Sequence, residues 1–194
     1  MGPPQAETAL REALAMGADE AVLVTDRAFG GADTWATAHT IAAAVEKLPY
    51  DLIITGRQAI DGDTAQVGPQ IAENLNIPNI SYAEEIKVEG EYVTVKRQFE
   101  DRYHILKAKM PCLITALSEL NTPRYMTPGG IVDAYQKEIK KITRADLDVA
   151  DGDIGLKGSP TRVVKTFTKS PKAAGTLVSN LNSQEAADYI LEKL

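Results

Sequence analysis

The chain has 194 residues, 44% hydrophobic and 25% charged, with 21 Lys and Arg against 27 Asp and Glu for a formal net charge of −6. That balance excludes the basic footprint of a nucleic-acid binder or membrane-surface protein, and a lone cysteine, Cys112, excludes an intrachain disulfide and a paired-cysteine metal or redox site. The opening residues show no basic-then-apolar leader and no run of about 18 apolar residues occurs, so the reading is a cytoplasmic globular protein without membrane insertion.

Residues 4 to 16 open on Pro4, suited to a first helical turn, and carry Ala6, Leu10, Leu14 and Met16 at helical spacing until Gly17. Residues 20 to 25 then form a short apolar run, the pattern of a strand buried on both faces, followed by the Gly30-Gly31 loop. A second helix is expected over Thr34 to Leu48, with Asp or Thr as its cap, and residues 51 to 55 repeat the buried-strand pattern. A third helix runs from Gln66 to Leu75, before Pro78. Alternating helix and strand implies a parallel sheet with right-handed crossovers, a Rossmann-like half whose first element is a crossover helix.

Beyond Pro78 the texture is that of strands, at residues 81 to 88, 92 to 99, 103 to 108 and 113 to 117, a meander that leaves and rejoins the sheet. Residues 121 to 194 read as a turn-rich extension that needs a partner, with short pieces around Ile139 and Val163 and an amphipathic helix from Ser183 to Leu194.

The stretch from Gly56 to Gly68 joins a strand end to a helix start, where open α/β sheets place their ligands. Its glycines permit close backbone approach, the amides of Thr64, Ala65 and Gln66 suit a phosphate at a helix start, and Arg57 suits the same anion. Asp61 and Asp63 would repel a diphosphate by about 1 to 4 kcal/mol at ~4 Å, so Asp63 is expected as the helix cap and Asp61 as a ribose acceptor or a loop anchor. The segment is neither a P-loop nor GxGxxG, and spacing alone leaves a ligand-free capped turn equally open.

His39 and His104 lack Cys or carboxylate neighbours at metal-ligand spacing, which points to structural histidines and no metal. No pattern for side-chain catalysis occurs, and Cys112 after Pro111 in an apolar run reads as a buried thiol. Pro123, Arg124, Tyr125, Met126, Thr127, Pro128 and Ile131 place a cation, an aromatic and a methionine in one turn-rich segment. Such a composition suits protein contact, the competing reading being a plain loop with Tyr125 folded onto the core.

Four stretches in order, Met1 to Ala6 with Gly2, Ala13 to Asp19, Gly56 to Gly68 and Asn121 to Tyr125, closely resemble beta subunits of electron transfer flavoproteins. The resemblance implies an α/β, Rossmann-like fold of the adenine nucleotide alpha hydrolase-like kind, a parallel sheet with antiparallel additions and an extended C-terminal tail. It implies a nucleotide-binding domain over residues 1–150 and, over 151–194, a tail that embraces the alpha subunit. By position it makes Gly2, Gly56, Arg57, Gln58, Ala59, Ile60, Asp61, Gly62, Asp63, Thr64, Gln66, Val67 and Gly68 the holders of the ADP part of FAD, with AMP as the alternative ligand. Arg57 and the glycine-rich loop resemble the flavin-bifurcating type, which implies NADH, ferredoxin or flavodoxin, and an acyl-CoA dehydrogenase or quinone reductase as further partners, with chemistry carried by the flavin. Residues Pro123 to Ile131 match the family's recognition loop, with Pro128 where another type has an anchoring leucine. A leading strand and loop, roughly sixty residues ahead of the position of Met1, read as lacking, in line with an opening crossover helix. The reading from another class is an adenine-nucleotide module of universal-stress type without redox function.

Overall fold

Period-two alternation in the first strand decides where the first helices lie. In this computed structural model, which describes residues 1–168, 175 and 177–193, β1 (Ala21–Val24) points Ala21 and Leu23 to one face and Val22 and Val24 to the other. The first face meets Leu14 and Ala15 of α1 (Glu7–Ala15), Ala134 of α4 (Pro128–Gln136) and Ile139 of β7 (Ile139–Ile142). The second meets Ala44 of α2 (Thr34–Val45) together with Phe29, Ile142, Leu147 and Ile154. β1 pairs in parallel with β7 and with no other strand among the described residues.

A second sheet of five strands runs in the order β2 (Leu52–Gly56), β6 (Cys112–Ala116), β3 (Asn79–Glu89), β4 (Tyr92–Phe99), β5 (Arg102–Lys109). β2, β6 and β3 are parallel, while β3, β4 and β5 form the antiparallel meander. β6 slots between β2 and β3, which is the expected return of the chain to the parallel sheet. Leu113 faces Ala38 and Ala42 of α2 and Ile71 and Ala72 of α3 (Val67–Asn74), whereas Cys112 and Ile114 face Ile80, Val93 and Val95. Fully burying a side chain such as Leu113 stabilises by about 1.5–3 kcal/mol, so this central strand anchors both layers.

Five sequence expectations are corrected. The alternating elements do not build one continuous sheet, because β1 and β2 pair with different partners. β2 is not buried on both faces: it is an edge strand, paired among the described residues only with β6, and Ile54 is 55% exposed. Residues from 121 onward are not all an extension, because α4 packs on α1, β7 completes the first sheet, and Ala134, Ile139, Ile142, Leu147 and Ile154 are core residues. α2 ends at Val45 rather than Leu48, and no regular element forms around Val163.

The compact unit closes at Arg162, and a separate unit spans Val163–Leu194. Its helix, α6 (Ser183–Lys193), holds no buried residue; Ile190 and Leu191 are exposed, and Leu194 lies outside the described residues. α5 (Gly155–Gly158) belongs to the first unit. No helix among the described residues is long and apolar enough to cross a membrane.

Candidate nucleotide site

The loop from Gly56 to Gly68 leaves the carboxyl end of β2 and enters α3, at the end of the parallel strands where such sheets bind ligands. Asp63 and Ala65 sit in the left-handed region at φ 50 and φ 53. That conformation is uncommon for residues with a Cβ, least so for Asp. The Asp63 amide donates to the Ala59 carbonyl at 3.0 Å, closing a tight turn. Its carboxylate accepts from the Gln58 side-chain amide, and Gln58 in turn accepts from Arg57 Nε at 3.2 Å.

Asp63 is therefore not the cap of α3, as expected from sequence: it stands four positions before the first helical residue, and the cap position belongs to Gln66, which makes no side-chain cap bond. The free donors at the helix start are Gln66, as expected, with Val67 and Gly68, Pro69 having no N–H, whereas Thr64 and Ala65 precede them. Gln66 instead accepts from Thr34 Oγ1 at 2.9 Å, which ties the loop to the start of α2. There Asp33 caps α2 through the Ala36 amide at 3.1 Å and also accepts from the Thr161 amide and hydroxyl, each at 2.9 Å. Burial works to raise the Asp33 pKa, but these hydrogen bonds outweigh it and hold the carboxyl below its ordinary value.

The glycines divide into two kinds. A Cβ on Gly68 would stand 2.6 Å from Thr55 Oγ1 and 2.8 Å from Thr115 Cγ2, so Gly68 lets α3 press onto β2 and β6. Gly56 and Gly62 have no neighbouring atom within 4 Å of such a Cβ and no left-handed backbone, so neither internal packing nor the turn requires them. They leave open space on the side where a ligand backbone or phosphate would approach. Thr55 Oγ1, next to the close contact, is buried with no hydrogen-bond partner. Ile60 is fully exposed at the loop tip, and Arg57, Gln58, Ala59, Asp61, Thr64 and Gln66 are also exposed.

Gly2 stands apart from these residues, at β1, where its amide donates to the Val24 carbonyl at 3.1 Å. It borders a cavity of about 670 Å³ lined with Pro4, Thr25, Asp26, Phe29 and Gly30. Asp26 there is held below the ordinary carboxyl range by the Ala28 amide first and the Arg144 amide second.

The contact segment is assembled on α4. Thr127 Oγ1 caps the helix through the Gly130 amide at 3.0 Å, Pro128 occupies the first turn, and the Arg124 guanidinium lies against Gly17. Tyr125 is 95% exposed, which overturns the reading that folds it onto the core; Met126, Ile131, Val132 and Tyr135 are exposed beside it. His39 stacks on Trp35 and bonds the Asn74 side chain at 3.0 Å, while His104 stacks on Phe99. Among the described residues no group of His, Cys, Asp and Glu is arranged to hold a metal.

Sequence reasoning missed Tyr82, Arg97 and Thr115, which come to the loop from β3, β4 and β6. Tyr82 adopts φ 64 at a register shift between Ile80 and Ala83, and its amide donates to Thr115 Oγ1 at 3.0 Å. The signal was the Tyr82 and Arg97 pair of side chains on adjacent expected strands, which no local pattern joins to residue 57.

Residues 1–147 match the model of the electron transfer flavoprotein domain. The chain is 56% identical over its whole length to the electron transfer flavoprotein subunit beta of Clostridium acetobutylicum, covering 74% of that protein. It is 50% identical over its whole length to the caffeyl-CoA reductase-Etf complex subunit CarD of Acetobacterium woodii, 74% of which it covers. It is 46% identical, over 98% of its length and 74% of the relative's, to the acryloyl-CoA reductase electron transfer subunit gamma of Anaerotignum propionicum.

Proposed function

The chain belongs to the electron transfer flavoprotein family, and from that premise we propose that its Gly56 to Gly68 loop holds the ADP part of FAD while the chain works beside an alpha subunit in electron transfer. The observation that carries this reading is the open space over Gly56 and Gly62 at the carboxyl end of β2, which the protein's own packing does not fill. The residues around it suit a nucleotide: Arg57 offers a fork of donors to phosphate, the first amides of α3 stand at the other end of the same loop, and Gln58 engages the Asp63 carboxylate. Asp61 stays free to accept from a ribose hydroxyl.

Bound flavin supplies the redox chemistry. The chain's own residues bind and orient it, and none among the described residues is placed as a side-chain catalyst. AMP would use the same loop without needing the groove beside Arg57. The relatives named for caffeyl-CoA and acryloyl-CoA reductases support an acyl-CoA reductase or dehydrogenase as the redox partner, with the exposed Tyr125, Met126 and Ile131 as the docking surface. A bifurcating role, with NADH as donor and ferredoxin or flavodoxin as second acceptor, extends the same reading, as does a cytoplasmic setting. The tail expected from residue 151, which forms its own unit from Val163, would embrace the alpha subunit with Ile190 and Leu191. The family assignment leaves the non-redox nucleotide module without support.

The test is to co-express the chain with an alpha subunit, purify the heterodimer and count released FAD and AMP. Two FAD per heterodimer are expected. One FAD with one AMP would reassign the loop to AMP, and one FAD alone would remove the nucleotide from this chain.

A further inference from the structure

Beside the loop, two adjoining hollows of about 350 and 400 Å³ share Arg57 and Gln98 and open along the carboxyl ends of β2 and β6. Two guanidiniums converge there on one ring: Arg57 lies 5.4 Å and Arg97 5.8 Å from the centroid of Tyr82. Arg97 also lies 5.6 Å from the Phe99 ring. Neither cation is ion-paired with a carboxylate among the described residues, although Glu100 and Glu119 line the rims. Arg97 Nε is buried without a hydrogen-bond partner.

Two like charges gathered over one ring repel each other, and a buried donor left unpaired is unfavourable. Both are relieved by one anion set between them, since a guanidinium can face an aromatic ring and still present its edge to an oxyanion. Tyr82 is held in a conformation rare for an aromatic residue, at φ 64, and its amide is secured by Thr115. Such outliers concentrate at ligand clamps.

We propose that Arg57 and Arg97, spaced by Tyr82, form an oxyanion subsite for the terminal phosphate of a nucleoside diphosphate whose remainder lies on the Gly56 to Gly68 loop. The subsite makes this chain select diphosphate-bearing nucleotides over monophosphates. The inference rests on the nucleotide reading of the loop; Arg57 is the residue common to both.

The experiment titrates the full chain calorimetrically with inorganic pyrophosphate, ADP and AMP, in the wild type and in R57Q, R97Q and R97K. Arg57 is exposed, so R57Q removes its guanidinium from Tyr82 without opening the core; melting curves confirm that each variant is folded. The wild type is expected to bind ADP at least about tenfold more tightly than AMP, as two charge-assisted contacts require. R57Q and R97Q each weaken ADP and pyrophosphate by about tenfold and AMP by less than about twofold, with R97K intermediate because it keeps the charge and loses the fork. Equal losses for ADP and AMP, or no pyrophosphate binding by the wild type, would overturn the subsite. Pyrophosphate binding that R57Q abolishes, in a chain that binds neither nucleotide, would keep the subsite and sink the nucleotide reading of the loop.

Discussion

Replacing Gly68 by alanine sets two effects of opposite sign against each other. Within a helix, Gly→Ala gains up to about 1 kcal/mol of propensity. Against that, the new methyl would stand 2.6 Å from Thr55 Oγ1 and 2.8 Å from Thr115 Cγ2, well inside van der Waals contact. Thr115 is 2% exposed and lies on β6, flanked by β2 and β3, so it has no room to retreat. Overpacking of this kind costs about 1–3 kcal/mol; with two contacts this short and α3 forced to lift from the sheet at its first turn, the cost falls in the upper part of that range, which leaves a net loss of about 1–2 kcal/mol. For a chain of this size that corresponds to a fall in Tm of about 2–8 °C, read by thermal denaturation followed by circular dichroism. Gly62→Ala is the control: nothing lies within 4 Å and no left-handed backbone is required, so its Tm should hold or rise by the equivalent of about 0.4–1 kcal/mol, while nucleotide content falls. A Gly68→Ala protein as stable as the wild type would refute the claim that close helix-to-sheet contact selects this glycine.

Asp33→Ala should cost about 1 kcal/mol through loss of the α2 cap and raise amide exchange around Thr161, whose amide it also binds; unaltered exchange there would show that the link is not formed in solution. The Asp33 carboxyl titrates below its ordinary value in the folded chain, so its contribution is present above the unfolded pKa of about 4 and is lost as pH falls through the folded one. Asp33→Asn should therefore flatten the acid limb of the stability curve, and an unchanged slope would exclude Asp33 as a source of it. The Cys112 thiol is buried and burial pushes its pKa up, so a thiol reagent at pH 8 should label the native chain only as it unfolds; prompt labelling would contradict the placement of Cys112 in the core. Tyr125→Ala should leave stability within about 0.5 kcal/mol but slow electron transfer to an acyl-CoA dehydrogenase-class partner about tenfold, and an undiminished rate would place docking elsewhere.

Local signals carried the first two-thirds of the fold. The apolar runs at 20–25 and 51–55, the breakers Gly17 and Pro78 and the alternation in 92–99 marked elements close to their observed bounds. What stayed hidden was pairing at long range. Ile139–Ile142 buries its two ends and exposes Lys140 and Lys141 between them, so it lacks the alternation of a strand, and only its parallel register with Ala21–Val24 makes it part of the core. Within the loop, glycine content located the turn, but not that Asp63 and Ala65 would take the left-handed positions. Gly68 and Gly62 look alike in sequence, and only the neighbours brought in from β6 tell them apart.

The alanines of α2 have a mechanical consequence. Ala38 and Ala42 lie against Leu113 and α3 on the five-stranded side, and Ala44 lies against Val24 and Ile142 on the two-stranded side, while no ladder hydrogen bond joins the two sheets among the described residues. The helix is therefore a wall shared by both sheets: its short side chains let each sheet come close, and the Thr34 to Gln66 hydrogen bond fastens its start to the loop that leaves β2. A longer side chain at Ala38 or Ala42 must push on the five-stranded sheet, and one at Ala44 on the two-stranded sheet, so a single helix is constrained from two directions.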